Sequence, residues 1–175
     1  MRKIFLHCLL LILLHAQLYA QEHKEPVASD TALKPYQKFP KLPAFNIRLM
    51  DSVTIYNTYN IPEGRKTILL FFSPDCKHCQ ALFRDLTKNM DSLKKVDFYI
   101  MSPIHDMQMI RDFYKEYHLA DFKNIKVIGR DYEYFFITYY GVKSFPDMAL
   151  YDEHKKLIKL FEGDIPLKEL YGYVR

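Results

Sequence analysis

Only three cysteines occur among the 175 residues, and that scarcity rules out most of the chemistry that cysteine serves. Cys8 lies in the apolar start of the chain, so Cys76 and Cys79 are the two left for a folded domain. A structural zinc site needs four ligands, usually two such pairs or a pair plus two closely spaced histidines. His105, His118 and His154 are scattered and repeat no ligand spacing. A c-type haem needs histidine directly after the second cysteine, and Gln80 stands there. No metal and no cofactor is therefore expected. Basic clusters are missing too: the formal charge is +4, and no run of Lys or Arg stands out, which argues against a nucleic-acid partner. The apolar stretch Ile4 to Leu14 has eleven residues, short of the roughly 20 that a membrane span needs. Tryptophan is absent, although 14 Tyr and 13 Phe supply aromatic bulk, and no internal repeat is visible.

Arg2 and Lys3 followed by Ile4 to Leu14 form the basic and apolar parts of a signal peptide, with Ala20 the expected last residue before cleavage. An uncleaved start would instead tether the chain to a membrane. Either way the domain is expected in an exported, periplasmic or secreted setting, where disulfides persist. Cys8 has no small residues before it and does not suit a lipid anchor. Removing residues 1–20 takes away two basic residues and no acidic ones, so the charge falls from +4 to +2. Gln21 to Leu42 is polar and carries Pro26, Pro35 and Pro40, and residues 21–43 read as a linker. The domain proper is expected over 44–175, enough for one core, and as a monomer.

Within it, Phe45 to Leu49 and Val53 to Tyr56 alternate around Met50-Asp51-Ser52, the pattern of a hairpin. Thr67 to Phe72 is apolar without alternation, as in a strand buried on both faces. Cys79, Leu82, Phe83, Leu86, Met90 and Leu93 recur at helical steps. A strand over Val96 to Met101, a helix ending near Leu119 and a strand over Ile125 to Ile128 follow. Asp131 is placed to cap a helix running through Tyr140, with Gly141 at its end. Two strands, Met148 to Tyr151 and Leu157 to Phe161, precede a short helix opened by Pro166. This order argues an α/β sandwich around a mixed sheet.

What stands at the junction of the buried strand and the first helix is Cys76-Lys77-His78-Cys79. Two cysteines two residues apart can close a small disulfide ring. The helix N-terminus favours thiolate at the first of them, the attacking form in thiol–disulfide exchange. Lys77 and His78 lie inside the ring as candidate redox-tuning residues, since a cation beside the sulfur favours the reduced form of the couple. A static structural disulfide is the alternative. Asp75 reads as a capping residue rather than a base, the aromatic run Tyr132 to Tyr140 as packing, and His105 and His118 as solvated or capping. A peroxidase would need Pro-x-x-x-Thr-x-x-Cys, which is not present before Cys76.

Leu69 through Cys79, together with Gly141-Val142-Lys143-Ser144-Phe145-Pro146-Asp147, resemble the thioredoxin-like superfamily. The leading hairpin and the extra helix–strand pair at about 105–128 resemble its exported TlpA/ResA-type branch. The resemblance implies a three-layer sandwich with a central mixed sheet, an N-terminal hairpin and an inserted helix–strand pair. It implies thiol–disulfide oxidoreductase activity on protein cysteines, more in keeping with a reductase, with an oxidase or isomerase or a non-catalytic binding domain as alternatives. In that pattern Cys76 is the nucleophile, Cys79 the resolving thiol, and Pro146 a cis-proline that turns Phe145 toward Cys76 to form the substrate groove. A membrane electron donor would recharge a reductase. The chain departs from thioredoxin in three places: Asp75 replaces the Trp before the first cysteine, Leu70 replaces a buried acid six residues before it, and Lys77-His78 replaces Gly-Pro. The histidine resembles the strongly oxidising DsbA type.

Overall fold

The apolar run from Lys66 onward becomes the centre of a seven-stranded sheet in the computed structural model, which describes residues 33–174. Chain order gives α1 (Pro35–Lys38), β1 (Asn46–Leu49), β2 (Ile55–Asn57), β3 (Lys66–Phe71), α2 (Lys77–Lys88), β4 (Val96–Ser102), α3 (Met107–Glu116), β5 (Ile125–Arg130), α4 (Phe135–Tyr140), β6 (Asp147–Tyr151), β7 (Leu157–Glu162) and α5 (Leu167–Val174). The strands lie in the order β2-β1-β5-β4-β3-β6-β7. β3, β4 and β5 are parallel; β6 and β7 on one side, and β1 on the other, join antiparallel. The sheet is mixed, as the sequence pattern indicates, with the inserted α3–β5 pair seated beside β4 and the β1–β2 hairpin beyond it.

Helices cover both faces, which is why β3 lacks alternation. Ile68, Leu70 and Phe72 pack toward Leu82, Phe83 and Leu86 of α2 and Ile110 and Phe113 of α3. Leu69 and Phe71 point the other way, toward Phe136 and Tyr140 of α4. Each such fully buried side chain contributes about 1.5–3 kcal/mol through area removed from water. Phe71 stacks on Phe136 at 4.8 Å, and the Tyr140 and Tyr151 hydroxyls satisfy one another inside this second core. The aromatic run at 132–140 is packing, as its spacing indicates.

Gly129 shows where the sheet tolerates no side chain. A Cβ there would sit 2.2 Å from the Arg48 carbonyl oxygen across the β1–β5 pairing. Gly141 ends α4 at φ 69°, a left-handed cap.

Two local readings need correction. Structure begins upstream of Ala44: α1 stacks Tyr36 on Tyr140, Tyr139 donates to the Phe39 carbonyl at 2.6 Å, and Leu157 N–H donates to the Pro40 carbonyl at 2.7 Å. Part of the segment expected as linker is therefore built into the domain. Asp75 caps nothing, because the N-cap of α2 is Cys76 and the Asp75 carboxylate accepts instead from the Ser73 hydroxyl. The expected signal peptide, with Cys8, lies outside the described residues, as does most of the linker.

Candidate functional site

β3, β4 and β5 all end on one edge of the sheet, and the Cys76-to-Cys79 segment sits at the end of β3. Phe72 still donates to the Met101 carbonyl, at 3.0 Å. Ser73-Pro74-Asp75 then turns the chain, with Cys76 N–H donating to the Ser73 carbonyl at 3.1 Å and the Gln80 side chain holding the Pro74 carbonyl at 2.9 Å. This places Cys76 at the helix N-cap in an extended conformation, φ −79° and ψ 118°. No acidic residue lies in the first turn of α2, so nothing within the helix offsets the positive end of its dipole beneath the sulfur.

The two thiols are free and differ in setting. Cys76 is half-buried at the surface, whereas Cys79 is 0 % exposed and belongs to the core that holds Leu70 and Phe72. Burial pushes the Cys79 thiol well above the ordinary range, and the adjacent Cys76 adds to the effect. One sulfur can therefore meet a large partner, and the other can meet only Cys76.

Phe145 and Pro146 face Cys76 from the loop before β6. Their peptide bond is cis, and the Phe145 carbonyl oxygen lies 3.6 Å from Cys76 Sγ, an acceptor for the thiol. Lys77 and His78 project outward from the first turn of α2, and both are exposed. His78 Nδ1 meets Asp164 Oδ1 at 2.6 Å, joining the dithiol turn to the loop between β7 and α5. That loop also reaches the proline, through Gly163 N–H to the Pro146 carbonyl at 2.9 Å. The structure thus gathers Cys76, Cys79, Lys77, His78, Phe145 and Pro146 at one place.

Two acids that pattern reading passed over belong to this neighbourhood. Asp164 is 86 residues from His78, and no local signal could pair them. Asp147 directly follows Pro146, so its position was visible, but its setting was not. It is 0 % exposed, and neither carboxylate oxygen has a hydrogen-bond partner. Burial, reinforced by Glu162 and opposed by Lys34, pushes its carboxyl up to about 7. Strand alternation turns Asp147 to the side of Ala149 and Tyr151, the α4 face, away from the core that contains Cys79. It therefore does not replace the acid whose position Leu70 occupies. His105, expected to be solvated or capping, instead stands between Arg130, at 2.9 Å, and the Tyr134 hydroxyl, at 2.8 Å.

A cluster of three or more His, Cys, Asp or Glu side chains able to hold a metal is not found among the described residues. No described helix is long and apolar enough to cross a membrane.

A family model for a thioredoxin-like domain matches residues 59–175, which contain the dithiol, the cis-proline and every strand from β3 to β7. The chain belongs to the thioredoxin-like family. No curated protein matches its sequence. The thioredoxin-like domain shares its fold with a secreted Mycobacterium tuberculosis disulfide oxidoreductase homologous to E. coli DsbE. That pair has a TM-score of 0.61 and 18% identity, over 74% of this chain and 93% of the other. StoA from Bacillus subtilis aligns at 0.57 and 20% identity over 78% and 100% of the two chains. The exposed lipoprotein thioredoxin Etrx1 of Streptococcus pneumoniae aligns at 0.57 and 22% over 75% and 98%. Thioredoxin-like relatives of this shape thus include proteins that work outside the cytoplasm.

Proposed function

We propose that this thioredoxin-like domain is an exported thiol–disulfide oxidoreductase that reduces disulfides in client proteins. The observation that carries the reading is the unequal pair at the head of α2: an accessible Cys76 over the helix N-terminus with a fully buried Cys79 behind it. The basic and apolar start, Arg2 to Leu14, supports export.

In the cycle, Cys76 thiolate attacks one sulfur of the client disulfide. A Cys76–client bond forms, and the other client sulfur leaves as thiolate. Cys79 then attacks Cys76 Sγ, the client's second sulfur departs, and the Cys76–Cys79 disulfide holds the two electrons' worth of oxidation. The Cys79 proton ends on a departing client thiolate. The Phe145 carbonyl offers an extended client chain a backbone acceptor beside the reacting sulfur. An exported reductase must be recharged, which calls for a membrane electron donor.

The test is reduction of insulin by the full chain with dithiothreitol as the electron source. Turnover by wild type and its loss in Cys76→Ala are expected. A wild-type protein without turnover would instead be a binding domain with a structural disulfide. The potential of the couple sets the direction: a value near about −270 mV fits a reductase, and one near about −120 mV an oxidase running the cycle backward.

His78 is the residue we assign to tuning that potential, with Lys77 beside it. His78 belongs to the dithiol turn, where positive charge favours the reduced pair, while its ring points outward to Asp164. His78→Gln is expected to move the couple toward reducing by a few tens of millivolts, roughly, in a glutathione titration. A change below about 10 mV would remove His78 from that role.

A further inference from the structure

A groove of about 410 Å³ runs from His78 down the outer side of α2 to α5. Leu82, Ile165 and Leu167 give it an apolar floor. Its polar lining is His78, Asp85, Asn89, Asp164 and Tyr171. Asp85 and Asp164 line it, and no lysine or arginine does, in a chain whose net charge is +4. Asp164 is engaged by His78, but Asp85 makes no ion pair among the described residues. The Tyr171 hydroxyl, also in the groove, is buried and has no hydrogen-bond partner. Burial and the nearby Asp85 carboxylate both hold that hydroxyl protonated. An apolar trough ending in an exposed, unpaired carboxylate matches a side chain with a long methylene stem and a cationic head.

The groove is continuous with the dithiol turn, because His78 belongs to both. Asp85 lies nine positions after Cys76, or about 13 Å along the axis at the helical rise of about 1.5 Å per residue. An extended chain advances about 3.3 Å per residue, so the same span takes about four residues. Resting on the oxidoreductase reading above, we propose that the groove selects client polypeptides carrying an arginine or lysine about four residues from the cysteine under attack.

The experiment uses peptides with a single cysteine blocked as a mixed disulfide with a small thiol, and with Arg, Gln, Leu or Glu four residues to either side. The reduced full chain should release the small thiol from the Arg peptide about fivefold faster, in kcat/KM, than from the Gln peptide at low ionic strength, and slowest from the Glu peptide. Asp85→Asn should bring the Arg rate down to the Gln rate and leave the Gln rate unchanged. Equal rates for Arg and Gln, a preference for Leu, or an Arg preference that survives Asp85→Asn would overturn the proposal. A cysteine-free copy of the Arg peptide separates this from failure of the function itself. If no peptide is reduced, yet this copy shifts the NMR signals of Asn89 and Tyr171 in wild type and not in Asp85→Asn, the groove stands and the oxidoreductase reading falls. If it shifts neither signal, the groove proposal falls as well.

Discussion

Cys79→Ala is expected to stop the cycle at its midpoint, leaving a covalent complex of the protein with its client. In the proposed cycle the second attack is intramolecular, from a sulfur held in the core directly behind Cys76. Well-oriented intramolecular groups act at effective concentrations of about 10⁵ M or higher. Without Cys79, release depends on millimolar external thiol, so the mixed disulfide should outlive the wild-type intermediate by several orders of magnitude. Complexes that survive alkylation and collapse under dithiothreitol on gels would show this, and mass spectrometry would name the clients. Cys76→Ala should trap few, since Cys79 is inaccessible to a polypeptide. Equal trapping by the two variants would sink the assignment of roles, and no trapping from Cys79→Ala would favour a static disulfide.

Asp147→Asn is expected to change the pH dependence of stability more than any surface substitution. An unfolded aspartate titrates near about 3.9. In the fold, burial first and Glu162 second raise Asp147 to about 7. The folded protein therefore holds a proton that the unfolded chain has already lost, and stability falls as pH rises between those values. Above about 7 the penalty is constant, and three pKa units correspond to about 4 kcal/mol at most. Asparagine is nearly isosteric and carries no charge. In urea unfolding the variant should exceed wild type by about 2–4 kcal/mol at pH 8 and match it near pH 4. A difference that does not vary with pH would mean that the carboxyl is not the titrating group.

The central strands were legible because burial on both faces leaves an unbroken apolar run, and β3 and β4 show one. The dithiol and Pro146 were legible as local strings. The placement of Pro35 to Leu42 was not, because four helical residues, Pro-Tyr-Gln-Lys, carry no periodicity. What holds them is Tyr36 on Tyr140 and backbone bonds to the β6–β7 hairpin. Asp75 misled for a related reason: a carboxylate ahead of a helix usually caps it, but here Ser73 takes it and Cys76 stands at the cap. The acids gathered around the site, Asp85, Asp147 and Asp164, acquire meaning only from what surrounds them. For Asp147 that is the lack of any partner, which depends on the whole sheet.

The order of the strands also bears on how readily the sheet could take on strands from another molecule. Among the described residues, β2 and β7 form the rims of the sheet. β2 is three residues long, too short to template a stable ribbon with another copy. β7 is longer, but its start is already bonded to the Pro40–Leu42 segment, Lys159 lies midway along it beside Glu169, and a register shift in its pairing with β6 bends its start. A neighbouring molecule would have to displace that lysine and straighten the bend before it could zip on. Under the proposed function, the Phe145 carbonyl would lend backbone to a guest while the sheet's own margins resist adding strands, which separates transient capture from fibril-like growth.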